Sequence, residues 1–307
     1  MLFESLCREG SMTETTTIIG LGEILWDIFP SGPRFGGAPA NFACSAAALG
    51  GDQVRVCMAS CVGNDELGQL ALRSLREKSV QTSGVMRASQ PTGQVLVQLD
   101  ALGHARYEFA ADTAWDNFAW SDELERLAVH AQACCFGTLA QRSKLSRETI
   151  RTFLAKTPAT ALRILDVNLR PPFFTDDVIL ESLSLANVLK LNDEELPVLA
   201  SLCGIAGTPV EVMRQLAARF GLTCVALTRG PSGAILVRGD AVSQQPGIAT
   251  RVEDTVGAGD AFTAVLALGL LEGRELDAIN RSACRVAAFV CSQAGATPRI
   301  PLELAGG

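Results

Sequence analysis

The run Ala261–Leu271 carries no charge, and the next charged residue is Glu272. It falls well short of the roughly 18 apolar residues that mark a membrane span. A stretch with no charged face therefore reads as a helix buried on every side. Asp254-Thr-Val-Gly-Ala-Gly-Asp260 leads straight into it. Two glycines separated by one alanine let the backbone turn tightly with its N–H groups facing outward. Those groups then stand at a helix N-terminus, where free donors and the helix dipole attract anions. Asp260 sits where the donors converge. Like charges repel, so a carboxylate is a poor choice for a plain phosphate cradle. It suits a base that takes a proton from a hydroxyl attacking phosphorus. An Asp N-cap on a glycine-rich turn is the plainer reading of the same residues.

The chain has 307 residues, 48% apolar and 19% charged. That is ample for a large core, and an α/β chain of this size can be one domain. A net charge of −7 and a pI near 5.0 argue against nucleic acid or an anionic membrane as a partner. The sequence contains no low-complexity tract, charge block or evident internal repeat. Residues 1–15 differ from the rest. They lack a long apolar segment of the secretory type, and Met12 would serve equally well as a start. A disordered extension over residues 1–15 is expected, followed by one domain over 16–307. Ten cysteines are many, yet no C-x-x-C occurs, and His104 and His130 lack zinc-site spacing. Cys44, Cys57, Cys61, Cys224, Cys284 and Cys291 lie in apolar or small-residue runs. Buried thiols in a reducing, cytoplasmic compartment are the expectation. Cys134-Cys135 is a weaker, redox-active candidate.

The order of apolar runs gives the architecture. Thr16–Gly20 and Val54–Ala59 read as strands, Asn41–Leu49 and Glu66–Lys78 as helices. Gln94–Leu99 and Arg106–Ala110 follow as two strands with no helix between them. Asp100-Ala-Leu-Gly-His104 joins them as a hairpin turn. Thereafter strands (Ala133–Phe136, Arg163–Val167, Val188–Leu191, Cys224–Thr228, Ala234–Val237) alternate with helices (Arg147–Ala155, Thr208–Phe220, Ala261–Leu271, Leu276–Gln293). Such alternation means a central, mostly parallel sheet with helices on both faces. The early hairpin breaks the rhythm. It reads as a small β-sheet lid drawn from about residues 24–36 and 91–113.

Two nucleotide motifs fail. The third glycine of a G-x-G-x-x-G starting at Gly20 would fall on Leu25, and no G-x-x-x-x-G-K-[ST] occurs. Other polar turns remain. Gly36-Gly37-Ala-Pro-Ala-Asn41 opens a helix of small residues. It is either a tight turn with close packing or a place where backbone approaches a ligand and Asn41 donates and accepts. Asp27 is either a turn residue or a carboxylate holding two sugar hydroxyls. Asp166-Val-Asn168-Leu-Arg170-Pro-Pro ends a strand, where open α/β sheets bind ligands. Asn192-Asp-Glu-Glu195 suits either hydrated Mg²⁺ or a capped first helical turn. Thr228-Arg-Gly-Pro-Ser-Gly233 is a strand-to-strand turn that can meet phosphate.

These residues together resemble the PfkB, or ribokinase-like, family of sugar kinases. Gly36–Gly50 matches the family's first signature, Asp254–Phe262 its second, Asn192–Glu195 its N-x-x-E motif and Thr228–Gly233 its phosphate-contacting turn. The resemblance runs from about Ile18 to Pro301. It implies an α/β core with a β-sheet lid and transfer of phosphate from ATP to a sugar's primary alcohol. It makes Asp260 the general base and the N–H groups of Gly257, Ala258 and Gly259 the anion hole. It gives Asp27, Gly36, Gly37, Asn41, Asn168 and Arg170 to the sugar. It gives Asn192, Thr228, Gly230, Gly233 and Cys284 to the nucleotide. Asn192 and Glu195 would organise Mg²⁺ through water. Asp254 and Val256, with backbone oxygens near Val290, Gln293 and Gly295, match a monovalent-cation loop, for K⁺.

The D-x-N-x-R-P-P stretch is more similar to fructokinases and 2-keto-3-deoxygluconate kinases than to ribokinases. Arg170 would serve a sugar acid's carboxylate, or pair with a structural one. Fructose is the preferred acceptor. Trp26 and Phe29 beside Asp27 keep that choice open, and ribokinase or nucleoside kinase activity remains an alternative. A non-catalytic sugar- or nucleotide-binding regulator is the alternative of another class. An exposed lid edge would suit a homodimer.

Overall fold

The structure, a computed structural model, describes residues 15–99 and 105–304. Residues 1–14 of the extension expected over 1–15, and the turn Asp100–His104, lie outside the described residues. The chain begins with β1 (Thr16–Leu21), β2 (Leu25–Phe29), β3 (Gly32–Gly36), α1 (Ala38–Gly50), β4 (Val54–Gly63) and α2 (Glu66–Glu77). Then come β5 (Val85–Ala88), β6 (Gly93–Leu99), β7 (Ala105–Phe109), α3 (Asp122–Val129), β8 (Ala133–Phe136), α4 (Lys144–Lys156) and β9 (Leu162–Asp166). They are followed by α5 (Asp176–Leu185), β10 (Val188–Asn192), α6 (Glu195–Cys203), α7 (Pro209–Phe220) and β11 (Cys224–Thr228). The chain continues with β12 (Ala234–Arg238), β13 (Ala241–Gln245), α8 (Ala258–Leu271) and α9 (Leu276–Cys291).

The main sheet has nine strands in the order β13-β12-β11-β10-β9-β8-β1-β4-β5. Every pairing in it is parallel except the two that flank β12. Successive strand residues point to opposite faces, and both faces are buried. Ile18, Cys135, Ile164, Val188 and Cys224 pack under α1, α2, α8 and α9. Ile19, Cys134, Leu165, Leu189 and Val225 pack under α3 to α7. A two-sided core explains why these strands are unbroken apolar runs rather than alternating ones.

The second sheet has four strands in the order β3-β2-β6-β7. Its central pair, β2 with β6, is parallel, and the outer pairs are antiparallel. Trp26 anchors it to the main body. The indole is buried, donates to the Leu67 carbonyl at 3.1 Å, and meets Phe35 edge-on at 5.5 Å. The bulk that kept acceptor choice open in the sequence is thus packing in the case of Trp26.

Several elements go beyond the sequence expectation. β5, β13, α5 and α6 are short and give no clean period over so few residues, whereas α3 does carry a helical period, Leu124, Leu127 and Ala128, behind the Ser121 cap. More consequential is the start of α8 at Ala258, three positions ahead of the first residue of the expected helix. Gly257 is the N-cap, with φ +81°, and it offers no side chain to the turn. Asp260 therefore lies inside the first turn and is not the N-cap that the plainer reading assigns.

Cys134 and Cys135 face opposite cores, so neighbouring thiols in sequence are separated in space. Burial pushes the Cys44, Cys134 and Cys224 thiols up to about 12, and Cys57, Cys61 and Cys284 to about 11. The thiolate is the reactive form. These six thiols, with Cys135, should resist an aromatic disulfide reagent in the native protein and react fully in denaturant. Fast native labelling of Cys134 or Cys135, read by mass spectrometry, would contradict this.

Candidate active site

Parallel strands β1, β8, β9, β10 and β11 all end on one edge of the main sheet. Glu23, Gly137, Asp166, Asn192 and Thr228 lie on or just after those ends. Open α/β sheets place their ligands beyond such an edge. A cleft there is lined by Glu23, Pro39, Gly137, Asp166, Asn168 and Asp260, among others.

Asp260 is held at the mouth of this cleft by the start of α8. The left-handed Gly257 is obligatory, because a Cβ there would stand 2.1 Å from the Ala296 carbonyl oxygen. The N–H groups of Gly257, Ala258 and Gly259 belong to the cap and first turn, which have no full set of intrahelical acceptors. The Asp260 carboxylate accepts a hydrogen bond from Asn41 Nδ2 at 2.9 Å. Its direct partner is thus a neutral amide. Asp260 keeps partial solvent access. Even so, burial and then the charge of Asp166 push its carboxyl up to about 6, against the pull of Lys190, Asn41 and Arg170. A base with that affinity is charged at neutral pH and binds a proton well.

Beneath the helix start lies a buried ion pair. Lys190 Nζ is 3.0 Å from Asp166 Oδ1. Asp166 Oδ2 accepts from Thr263 Oγ1 at 3.1 Å, and the same hydroxyl reaches the Gly259 carbonyl at 2.9 Å. A Cβ on Gly259 would sit 3.0 Å from Lys190 Nζ, so the ammonium underlies the first turn. Burial works against the Lys190 charge, but Asp166, Glu195 and Asp260 outweigh it and hold the ammonium above its ordinary range.

The residues assigned to the sugar gather on the other side of Asp260. Gly36 packs against Asp27, with a virtual Cβ 3.1 Å from Asp27 Oδ2. Gly37 has φ +109°, and a Cβ there would meet the Glu23 carbonyl oxygen at 2.6 Å. Burial pushes Asp27 up to about 6, with Arg170 and Arg34 opposing and Asp254 assisting. Asn41 is buried, and its Oδ1 has no partner among the described residues. Asn168 lines the cleft in a left-handed conformation, φ +42°. Arg170 is exposed, donates to its neighbour's Leu169 carbonyl, and acts on Glu23, Asp27 and Asp260 by charge.

The nucleotide assignments spread along β10, β11 and the turn after it. Asn192 pairs in register with Thr228. Asn192 Oδ1 caps α6, accepting from the N–H groups of Glu194 and Glu195 at 2.9 Å each. Glu195 returns to Asn192 N at 2.8 Å and holds Leu169 N at 2.9 Å. The N-x-x-E motif is therefore a reciprocal cap that also fixes the loop after β9. Thr228 Oγ1 donates to the Leu191 carbonyl at 3.3 Å. Gly230 and Gly233 take φ +50° and +85°, and a Cβ on Gly233 would stand 2.0 Å from the Gln245 carbonyl oxygen. Cys284 is buried on α9, with Sγ 3.7 Å from Asn280 Oδ1. No group of three or more His, Cys, Asp and Glu side chains forms a metal cage among the described residues.

The cation-loop residues also meet. Asp254 accepts from Val256 N at 3.0 Å and from Gly295 N at 3.2 Å. The Cys291 carbonyl accepts from both Glu253 N and Asp254 N, and the Val290 carbonyl accepts from Gln293 N. The segment before the glycine turn is thereby laced to the end of α9.

Sequence reasoning left Glu23, Lys190 and Thr263 out of the site. A signal existed for two of them. Glu23 is the lone charge in Ile18–Trp26, and Lys190 interrupts the apolar strand Val188–Leu191. A charge inside a strand buried on both faces needs a partner or a function.

Known proteins are similar to this chain in sequence and in fold. A fructokinase of Klebsiella pneumoniae is 30% identical over 263 residues, covering 81% of this chain and 83% of its own. An uncharacterized sugar kinase from Pyrococcus horikoshii, solved in complex with ATP, superposes with a TM-score of 0.76 at 28% identity. That match covers 92% of this chain and 94% of the other. A fructokinase from Xylella fastidiosa with bound ATP has a TM-score of 0.80 at 24% identity, over 95% and 97% of the two chains, and supports the fold alone. The profile of the pfkB family carbohydrate kinases matches residues 32–302. With its doubly covered sheet, its second small sheet and its glycine-turn aspartate, the chain belongs to the pfkB family of carbohydrate kinases, phosphotransferases with an alcohol acceptor.

Proposed function

We propose that this carbohydrate kinase moves the γ-phosphoryl group of ATP to a primary hydroxyl of a monosaccharide, fructose being the preferred acceptor. The observation that carries the reading is the Asp260 carboxylate. It stands at the first turn of a glycine-capped helix, bordering a cleft, with only a neutral amide in direct contact. Asp260 takes the proton from the attacking hydroxyl. The N–H groups of Gly257 to Gly259 receive the charge that develops on the moving phosphoryl oxygens. Asp27, Gly36, Gly37, Asn41 and Asn168 hold the sugar. Relatives named fructokinase support fructose. The exposed Arg170 guanidinium beside the cleft favours a second reading, in which the acceptor is a sugar acid.

Mg²⁺ keeps several waters and binds through few carboxylates plus phosphates. Glu195 and Asn192 fit that role only at one remove, because their oxygens already hold backbone N–H groups. When bound, the ion neutralises charge between the phosphates. Thr228, Gly230 and Gly233 line the nucleotide, Cys284 the adenine side. The loops around Asp254 and Gly295 carry a monovalent cation. The small sheet is the lid, excluding water when the cleft closes, and its edge strands β3 and β7 suit a homodimer in the cytoplasm.

Asp260→Asn keeps size and the Asn41 contact but cannot take a proton. Its kcat should fall by about 10²–10⁴-fold, with sugar affinity retained, in a coupled assay of ADP release. Equal turnover in the two proteins would remove Asp260 from its role.

Activity and stability should respond to pH in opposite directions. Asp260 must be ionised to work, so kcat should fall as pH drops through about 6. Burial raises Glu23 to about 7 and Asp27 and Asp260 to about 6. A raised acid contributes stability below its unfolded pKa and loses it as pH rises through the folded value. Going from about pH 8 to about pH 5 should therefore stabilise the fold, Glu23 alone supplying on the order of 2–3 kcal/mol. Urea denaturation at the two pH values reads this, and a midpoint lower at the acid end would refute it.

A further inference from the structure

Two buried acids of the cleft, Asp166 and Glu23, take no part in the transfer reaction, and of these only Asp166 has an ion-pair partner among the described residues. Glu23 is 2% exposed, and its Oε2 has no hydrogen-bond partner among the described residues. Burial is the chief influence on it, and the negative charge of Asp260 adds to that. The opposing influences are its own backbone N–H, that of Ala38, and the charge of Arg170. Among the described residues no ion pair or side-chain donor satisfies it in the way Lys190 satisfies Asp166.

The backbone around Glu23 is fixed on both sides. Gly22 takes φ +145°, and a Cβ there would stand 2.9 Å from Pro39. The Glu23 carbonyl oxygen abuts Gly37, where a Cβ would approach to 2.6 Å. The side chain thus departs from a rigid seam between the end of β1 and the Gly36-Gly37 turn. A buried acceptor without a donor is a standing cost to the fold. Such a group persists where a ligand completes it.

We propose that Glu23 is an acceptor-binding residue, whose buried Oε2 takes a hydrogen bond from a second hydroxyl of the sugar, distinct from the one that reacts. The inference rests on the cleft being the acceptor site and deepens that reading. Asp260 and Asn41 engage the reacting end, and Glu23 reads a neighbouring position. A sugar lacking a hydroxyl there leaves the carboxyl unsatisfied, and one carrying an anionic group there meets like charge. Sites built to bond a hydroxyl reject its absence far more strongly than apolar pockets reject a methylene. Glu23 therefore narrows the acceptor to a neutral polyol around the reacting carbon, while leaving the far end to Arg170.

The test is titration calorimetry without nucleotide, so that binding is read apart from turnover. The probes are fructose, ribose, glucose and 2-keto-3-deoxygluconate, then each monodeoxy form of whichever binds tightest. In the wild type, one deoxy form should bind about tenfold to a hundredfold more weakly than its parent. In Glu23→Ala that same deletion should cost nothing, while other deletions keep their wild-type penalties. Glu23→Gln preserves shape and should fold, and in it the penalty of that one deletion should shrink. If every deletion costs both variants what it costs the wild type, or if no sugar binds the wild type, the proposal is overturned. ADP release on the same panel judges the kinase reading separately. Turnover without the coupled hydroxyl sinks Glu23 alone, and coupled binding without turnover sinks the kinase reading alone.

Discussion

The buried contact among Lys190, Asp166 and Thr263 holds the two halves of the site in one frame. Lys190 comes from β10, Asp166 from β9 and Thr263 from α8. The sheet edge and the helix that carries Asp260 are therefore joined by charge and not by apolar packing alone. Apolar contacts tolerate sliding, because they are non-directional. An ion pair with a hydroxyl on the second carboxylate oxygen fixes distance and angle. Removing one partner would leave the other buried and uncompensated, at about 3–5 kcal/mol. The glycine turn, its outward N–H groups and Asp260 inherit their placement from this contact.

The same pair sets the electrical character of the cleft. Glu23, Asp27, Asp166 and Asp260 crowd one region, with Lys190 beneath and Arg170 at the rim. Desolvation raises the proton affinity of Glu23, Asp27 and Asp260, and Lys190 limits the rise at Asp260. A base that is too weak gains nothing from burial, and one that is too strong stays protonated at neutral pH. The arrangement keeps Asp260 between those limits, and the fold is less stable for it. Stability and chemistry here draw on the same carboxylates in opposite senses.

Much of this was legible in the chain. The uncharged run after the glycine turn announced a fully buried helix, and α8 is buried without a break from Ala261 to Gly269. The unbroken apolar strands announced a sheet covered on both faces, and the lone early hairpin announced a second sheet. What escaped was local. Asn192 and Glu195 look like ligands in a list of residues, yet their oxygens are engaged in capping α6 and pinning Leu169. Spacing gives the residue types that can converge but not which backbone N–H claims them first. Glu23 and Lys190 escaped for the converse reason. Each is a single charge in an apolar stretch, and its meaning depends on what strand pairing brings beside it.

Asp254 closes the logic of the site from the outside. One of its oxygens accepts from Val256 N, the other from Gly295 N, and the second also meets Arg34 Nη1 at 3.3 Å. The first two contacts are backbone and shape the entry to the glycine turn. The third crosses to β3, in the small sheet. Arg34 is 48% exposed and also lies over the Phe29 ring at 4.5 Å. An ion pair that wet contributes about 0–1 kcal/mol. The carboxylate that shapes the entry to the glycine turn thus also contacts the small sheet, through Arg34.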